Sequence, residues 1–274
     1  EKLVLGTVQF GCRYGINSAG RPDAKAVNDI AVAAFSSGVS LLDTSSAYGE
    51  SEDVLGSGEA CRPFGIVSKY PKGGGGVAEA FETSLRRLGR TSLYGYLLHH
   101  FDVWKENPGI WDDFLYLRDN GRVSKIGFSL YSPEELDMIL EKGVEFDLLQ
   151  IPRNVFDRKF DTYLKELCES GVEIHVRSTF LQGLFFKDRD SLPERLKPMR
   201  KYLEALDRCA ADNNMGIHEI ALNFNVHNPY VGGVLVGVDN VAQLRSNIIA
   251  IGDRAVDPGI DVAETALLNP VNWN

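Results

Sequence analysis

Short apolar runs alternate with helical patterns along the whole 274-residue chain, and this alternation constrains the fold more than any other feature. The runs fall at residues 3–7, 40–43, 65–69, 94–99, 123–129, 146–150, 173–177 and 233–237. Segment 24–37 leads into Gly38, a residue suited to the end of a helix. Val77, Ala80, Phe81, Leu85 and Leu88 recur at helical spacing and stop before Gly89. Ser132-Pro133-Glu134-Glu135 reads as a helix start, with a capping serine, proline at the first helical position and acids favoured by the dipole. Segments 160–169, 199–214, 218–226 and 240–250 add further helical stretches. Strands joined by helical crossovers make parallel sheets. Eight such units favour a single-domain (β/α)8 TIM barrel over an open sheet, and residues 1–274 are expected to form it without an internal linker.

Composition narrows the class of partner. Hydrophobic residues make up 44% and charged residues 24%, the balance of an ordinary globular domain. A net charge of -9 disfavours nucleic acid and anionic membrane surfaces. No apolar run is long enough to span a bilayer, and the start of the chain reads as a first strand rather than a signal peptide. Cys12, Cys61, Cys168 and Cys209 have neither metal-ligand nor disulfide-framework spacing, so free thiols in a reducing cytoplasm, and no metal site, are expected. The glycine run 73–76 lacks the ending of a phosphate loop, and no GxGxxG follows any strand.

In a barrel of this kind the site lies at the C-terminal ends of the strands. Asp43 ends the second run, Lys69 the third and His99 the fourth, and Tyr48 follows Asp43 in a Gly- and Ser-rich turn. A free tyrosine is a poor acid at neutral pH. An ammonium beside it would lower its pKa. Asp43 would hold Lys69 in place, and His99 would donate a hydrogen bond to a substrate oxygen. Such a constellation suits proton transfer to or from oxygen, as in carbonyl reduction. Tyr14, Phe101 and Trp104 fall in loops at the same rim, and Tyr14 and Trp104, with Tyr48 and His99, are expected to touch substrate. His175, His218 and His227 read as structural or surface residues.

The chain resembles the aldo-keto reductases. The resemblance rests on Leu5-Gly6-Thr7, Leu42-Asp43-Thr44-Ser45-Ser46-Ala47-Tyr48-Gly49, Ser68-Lys69, Leu97-Leu98-His99 and Lys125-Ile126-Gly127-Phe128-Ser129. It continues through Gln150-Ile151-Pro152-Arg153-Asn154, Gly183-Leu184, Val236-Gly237-Val238, Gln243-Leu244 and Asn247. It implies NAD(P)H-dependent reduction of a small-molecule aldehyde or ketone, or the reverse reaction on an alcohol. Asp43, Tyr48, Lys69 and His99 match the catalytic tetrad, with Tyr48 as proton donor.

The resemblance also implies a cofactor path. Gly6, Thr7 and Asp43 would border it, and Ser129 and Gln150 would hold the nicotinamide amide. Leu130 replaces a common asparagine there, and Arg177 replaces the aromatic on which the ring commonly stacks. Ser178, Phe180, Leu181 and Gly183 would follow the pyrophosphate. Val236, Gly237, Gln243 and Asn247 would hold the adenosine end, where acidic Asp239 interrupts the family's phosphate-binding pattern and Arg245 lies nearby. Family habit puts NADP(H) ahead of NAD(H) as the cofactor. A cofactor-sensing, non-catalytic relative and a barrel isomerase or epimerase acting on a sugar-like substrate are the competing readings. The Gly232-Gly233 pair precedes the last strand and so supplies no phosphate site after it.

Overall fold

The computed structural model describes residues 2–16 and 20–273. Eight parallel strands close in sequence order: β1 (Leu3–Gly6), β2 (Leu41–Asp43), β3 (Gly65–Tyr70), β4 (Leu93–Leu98), β5 (Val123–Ser129), β6 (Leu148–Pro152), β7 (Glu173–Arg177) and β8 (Gly233–Gly237). Pairing of Leu3 with Val234 and of Gly6 with Gly237 shuts the ring. This is the (β/α)8 barrel that the alternation predicts. The strands are short, and burial on both faces makes them near-continuous apolar runs.

Helices cover the outside with one-sided apolar faces. Val77–Leu88 buries Val77, Phe81, Leu85 and Leu88, and ends at Gly89 in the left-handed conformation (φ 62°). The helix Ala24–Ser36 starts at Asp23, whose carboxylate accepts from Ala26 N–H at 2.8 Å. Glu135 accepts from the backbone N–H groups of Tyr131 and Ser132, at 2.6 and 3.2 Å, ahead of the helix Pro133–Glu141.

Several boundaries differ from the sequence reading. The sixth strand lies two residues later than 146–150. Thr7 leaves β1 and precedes a short helix, Val8–Gly11. Three helices have no counterpart in the reading: Ser51–Ser57, Phe101–Glu106 and Ile110–Asp119. Phe101 and Trp104 are therefore helical rather than loop residues. Both are buried in the main core, where Trp104 packs edge-on against Phe128 at 6.1 Å.

The barrel's two ends differ in chemistry. At the strand starts, Glu173 accepts from Tyr94, Lys125 and His175 at 2.6, 2.7 and 2.5 Å. Burial opposes its ionisation, but the hydrogen bonds from His175, Lys125 and Tyr94 outweigh it and hold the carboxyl at about 2. Val67, Leu97 and Leu148 fill the interior above this plug. A second apolar cluster, including Leu181, Leu184, Phe185, Leu203 and Leu206, sits under the long β7–β8 connection. Asp43, His99, Ser129, Gln150 and Arg177, at or just past the strand ends, face one cavity.

Candidate active site

A cavity of about 560 Å³ opens at the C-terminal ends of the strands. Its lining runs from Tyr48 and His99 at one end, past Arg177–Phe180 and Gly183, to Gln243, Ser246 and Asn247 at the other. Gly6, Thr7, Tyr14, Asp43, Ser129, Gln150, Val236 and Gly237 also border it. Of the expected site residues, the structure leaves three out of the lining. Lys69 lies beneath it, Leu181 is fully buried in the second apolar cluster, and Trp104 is in the core.

Asp43 is the hub. It closes β2, next in register to β3, which carries Lys69. Lys69 Nζ donates to Asp43 Oδ1 at 2.6 Å and to the Thr44 carbonyl at 2.8 Å. Gln150 Nε2 donates to Asp43 Oδ2 at 2.7 Å. Both carboxylate oxygens and the ammonium are thus satisfied, which is what makes a buried pair tolerable. Burial lowers the Lys69 pKa and the Asp43 carboxylate opposes that fall.

Tyr48 is half-buried above this pair, with its ring centroid 5.1 Å from Lys69 Nζ. From the sequence, Lys69 is expected to depress the phenol. The direction is the opposite: burial, and then the Asp43 carboxylate, push it up, and Arg177 counters only in part. The ammonium lies against the face of the ring rather than at the hydroxyl, and it is paired with Asp43. Tyr48 is therefore a firmly protonated phenol in this structure.

His99 meets Tyr48 edge-on, with ring centroids 5.7 Å apart. Its Nδ1 pairs with Ser45 Oγ at 3.2 Å. Burial, followed by the Lys69 charge, lowers its pKa to about 2, so the imidazole is neutral. The adjacent His100 ring lies 4.7 Å away.

The Tyr48 turn is locked from below. Ser51 Oγ lies within 2.8 Å of Thr7 Oγ1 and 3.0 Å of Thr44 Oγ1, and donates to the Thr7 carbonyl at 2.9 Å. The Thr7 hydroxyl also donates to the Asp43 carbonyl at 2.9 Å. Gly11 makes the close approach possible, because a Cβ there would lie 1.7 Å from the Tyr48 carbonyl oxygen.

Backbone strain gathers after β7. Four non-glycine residues have positive φ among the described residues, and three are Ser178 (63°), Leu181 (46°) and Gln182 (51°). Each such residue costs about 1–2 kcal/mol, so the segment must be held by its surroundings. Asn154 Nδ2 donates to the Ser178 carbonyl at 3.1 Å, Thr179 Oγ1 to that of Leu235 at 3.2 Å, and Gln182 Nε2 to the Tyr14 hydroxyl at 2.9 Å. Asn154 is thus a loop anchor. The left-handed turn at Leu181 carries its side chain down into the apolar cluster, away from the cavity.

Arg177 stacks on Tyr131, its guanidinium carbon 4.1 Å from the ring centroid, and donates to the Leu130 carbonyl at 2.9 Å. It has no carboxylate partner among the described residues. Gln9, Tyr131 and Phe186 line the cavity without being among the expected site residues, and His218, expected as a structural or surface residue, lines it too. The Gln9 amide packs close over Gly237, where a Cβ would come within 2.3 Å of it and make it shift. A polar residue one turn past the first strand was the available signal.

Comparison with known proteins bears on the family and the fold. The family model described as "Aldo/keto reductase family" matches residues 2–257. An oxidoreductase of Bacillus subtilis named YqkF, itself uncharacterized, is 25% identical over 92% of this chain and 89% of its own length. An aldo-keto reductase of Mycolicibacterium smegmatis is 33% identical over 40% of this chain and 43% of its own. Among solved structures, the holo form of aldo-keto reductase AKR11C1 from Bacillus halodurans superposes with a TM-score of 0.73 at 21% identity, covering 93% of this chain and 88% of that one. At that identity the likeness speaks for the fold alone.

Proposed function

The chain belongs to the aldo/keto reductase family, and from that premise we propose that it reduces an aldehyde or ketone to the alcohol, or runs the reverse, with Tyr48 as the proton donor. Membership makes it an oxidoreductase of a family that works with nicotinamide cofactors on small carbonyl compounds. The residues present fit such a cofactor. The cavity lining extends from the Tyr48 cluster to Gln243 and Asn247, and Gln9 Oε1 and Asp239 Oδ1 are buried polar atoms of lining residues without partners. When bound, the nicotinamide supplies the hydride that adds to the carbonyl carbon.

The chain's own residues supply the rest. Tyr48 delivers its proton to the carbonyl oxygen. Its raised pKa keeps that proton in place until negative charge develops on the oxygen. Lys69 then stabilises the phenolate through the ring it underlies, while Asp43 keeps the ammonium seated. Ser45 Oγ accepts from Ala47 N–H at 3.1 Å, which leaves its own proton for His99 Nδ1. We assign the single N–H proton of the neutral imidazole to Nε2, where it serves as a neutral donor to the substrate oxygen.

One observation carries the reading: the buried Lys69–Asp43 pair lies under Tyr48 with the His99 ring at its edge. The four thiols are all free, which suits a reducing cytoplasm. The test is consumption of reduced nicotinamide against a panel of aldehydes, ketones and sugar-derived carbonyls. Carbonyl-dependent oxidation of the nucleotide is expected. Absence of binding by either nucleotide refutes the reading.

A further inference from the structure

The end of the cavity farthest from Tyr48 is formed by β8 and the helix Val241–Ile249. If the reductase reading holds, the nicotinamide sits beside Tyr48 and the adenosine half reaches this end. We propose that Asp239 selects NAD(H) over NADP(H) by accepting hydrogen bonds from the 2′- and 3′-hydroxyls of the adenosine ribose.

Asp239 borders the cavity, and its Oδ1 is closed to solvent with no hydrogen-bond partner among the described residues. Such an atom costs free energy until a donor reaches it. Burial pushes the carboxyl above its usual range, and the Gln243 side chain opposes this. The residue is held in place by its neighbours. Its N–H donates to Gln243 Oε1 at 2.7 Å, and the Gln243 N–H donates to Asn240 Oδ1 at 2.9 Å. Two vicinal hydroxyls offer donors to the carboxylate where it borders the cavity.

A 2′-phosphate offers none. It carries about two negative charges near neutral pH and would meet Asp239 as a like charge. No compensating cation lines this end. Arg177 is the single lysine or arginine of the described lining, and it is held against Tyr131 and Leu130, past the ends of β5 and β7. Arg245, the nearest cation in sequence, lines not this cavity but an adjoining groove that shares His218 and Ser246 with it. The residues of this cavity therefore do not fit NADP(H), and the family's preference for it does not extend to this chain.

The test is binding without carbonyl substrate. Purified protein is titrated with NADH and with NADPH, and the nucleotide fluorescence is followed. NADH is expected to bind at least about tenfold more tightly. Asp239→Asn keeps the size and removes the charge, and should narrow that ratio by about tenfold, chiefly by improving NADPH. Equal or tighter NADPH binding by the natural protein overturns the inference, with Arg245→Ala showing whether that residue reaches the phosphate. That result leaves the reductase reading standing. An unchanged ratio in Asp239→Asn removes Asp239 as the selector. Binding of neither nucleotide defeats both this inference and the reading it rests on.

Discussion

Lys69 Nζ lies 2.6 Å from Asp43 Oδ1, and both side chains are almost wholly removed from solvent. Neither charge is stable there alone. Lys69→Met leaves a buried carboxylate with only the Gln150 amide for company, and should destabilise the fold by about 3–5 kcal/mol. Denaturant unfolding measures it. Asp43→Asn in the same chain should recover part of the loss, and a cost below about 1 kcal/mol for Lys69→Met would contradict the pairing.

His99 carries a pH signature. Its folded pKa is about 2, against 6.5 in the unfolded chain. Below 6.5 the unfolded chain therefore binds the extra proton. The stability this group contributes is complete above pH 6.5 and is lost progressively as pH falls towards 2. The slope is at most about 1.4 kcal/mol per pH unit. Unfolding curves across this range should fall more steeply for the natural protein than for His99→Gln. Parallel curves would mean that His99 is not held neutral.

Gly11→Ala tests the seating of Tyr48. The added methyl would overlap the Tyr48 carbonyl oxygen, so the turn must shift. Misplacement of a reacting group by about 1 Å can cost about a hundredfold. The variant is expected to keep its fold by circular dichroism and to lose kcat/KM on that scale. Normal turnover would show that the turn tolerates displacement.

Trp104 gives the converse case. It packs against Phe101 and Phe128 rather than against the cavity. Trp104→Ala should cost about 3–5 kcal/mol of stability and leave KM unaltered at temperatures where the variant is folded. A raised KM with unchanged stability would return it to the substrate pocket.

The barrel and the strand-end residues were legible in the sequence because a parallel strand buried on both faces writes a short apolar run and ends at its polar residue. Asp43, Lys69 and His99 come from such ends, and the register brings them together. Tyr48 was legible through its spacing from Asp43. The failures come from segments without that periodicity. Trp104 lies on a six-residue helix, too short to show a pattern. Ile110, Trp111, Phe114 and Leu117 do show one face of a helix. Leu181 was placed in the cavity because a left-handed turn, which redirects its side chain, leaves no mark in composition. Ser51 is one serine among several in its turn, and only the fold shows that it joins Thr7 to Thr44.

The central claim is that Tyr48 protonates the carbonyl oxygen, and Tyr48→Phe tests it most directly. With any carbonyl that the natural protein reduces, kcat/KM and the nucleotide dissociation constant are measured for both proteins. The account predicts a loss of at least about a hundredfold in kcat/KM, with nucleotide affinity unchanged. Turnover by the phenylalanine variant at the natural rate would contradict it.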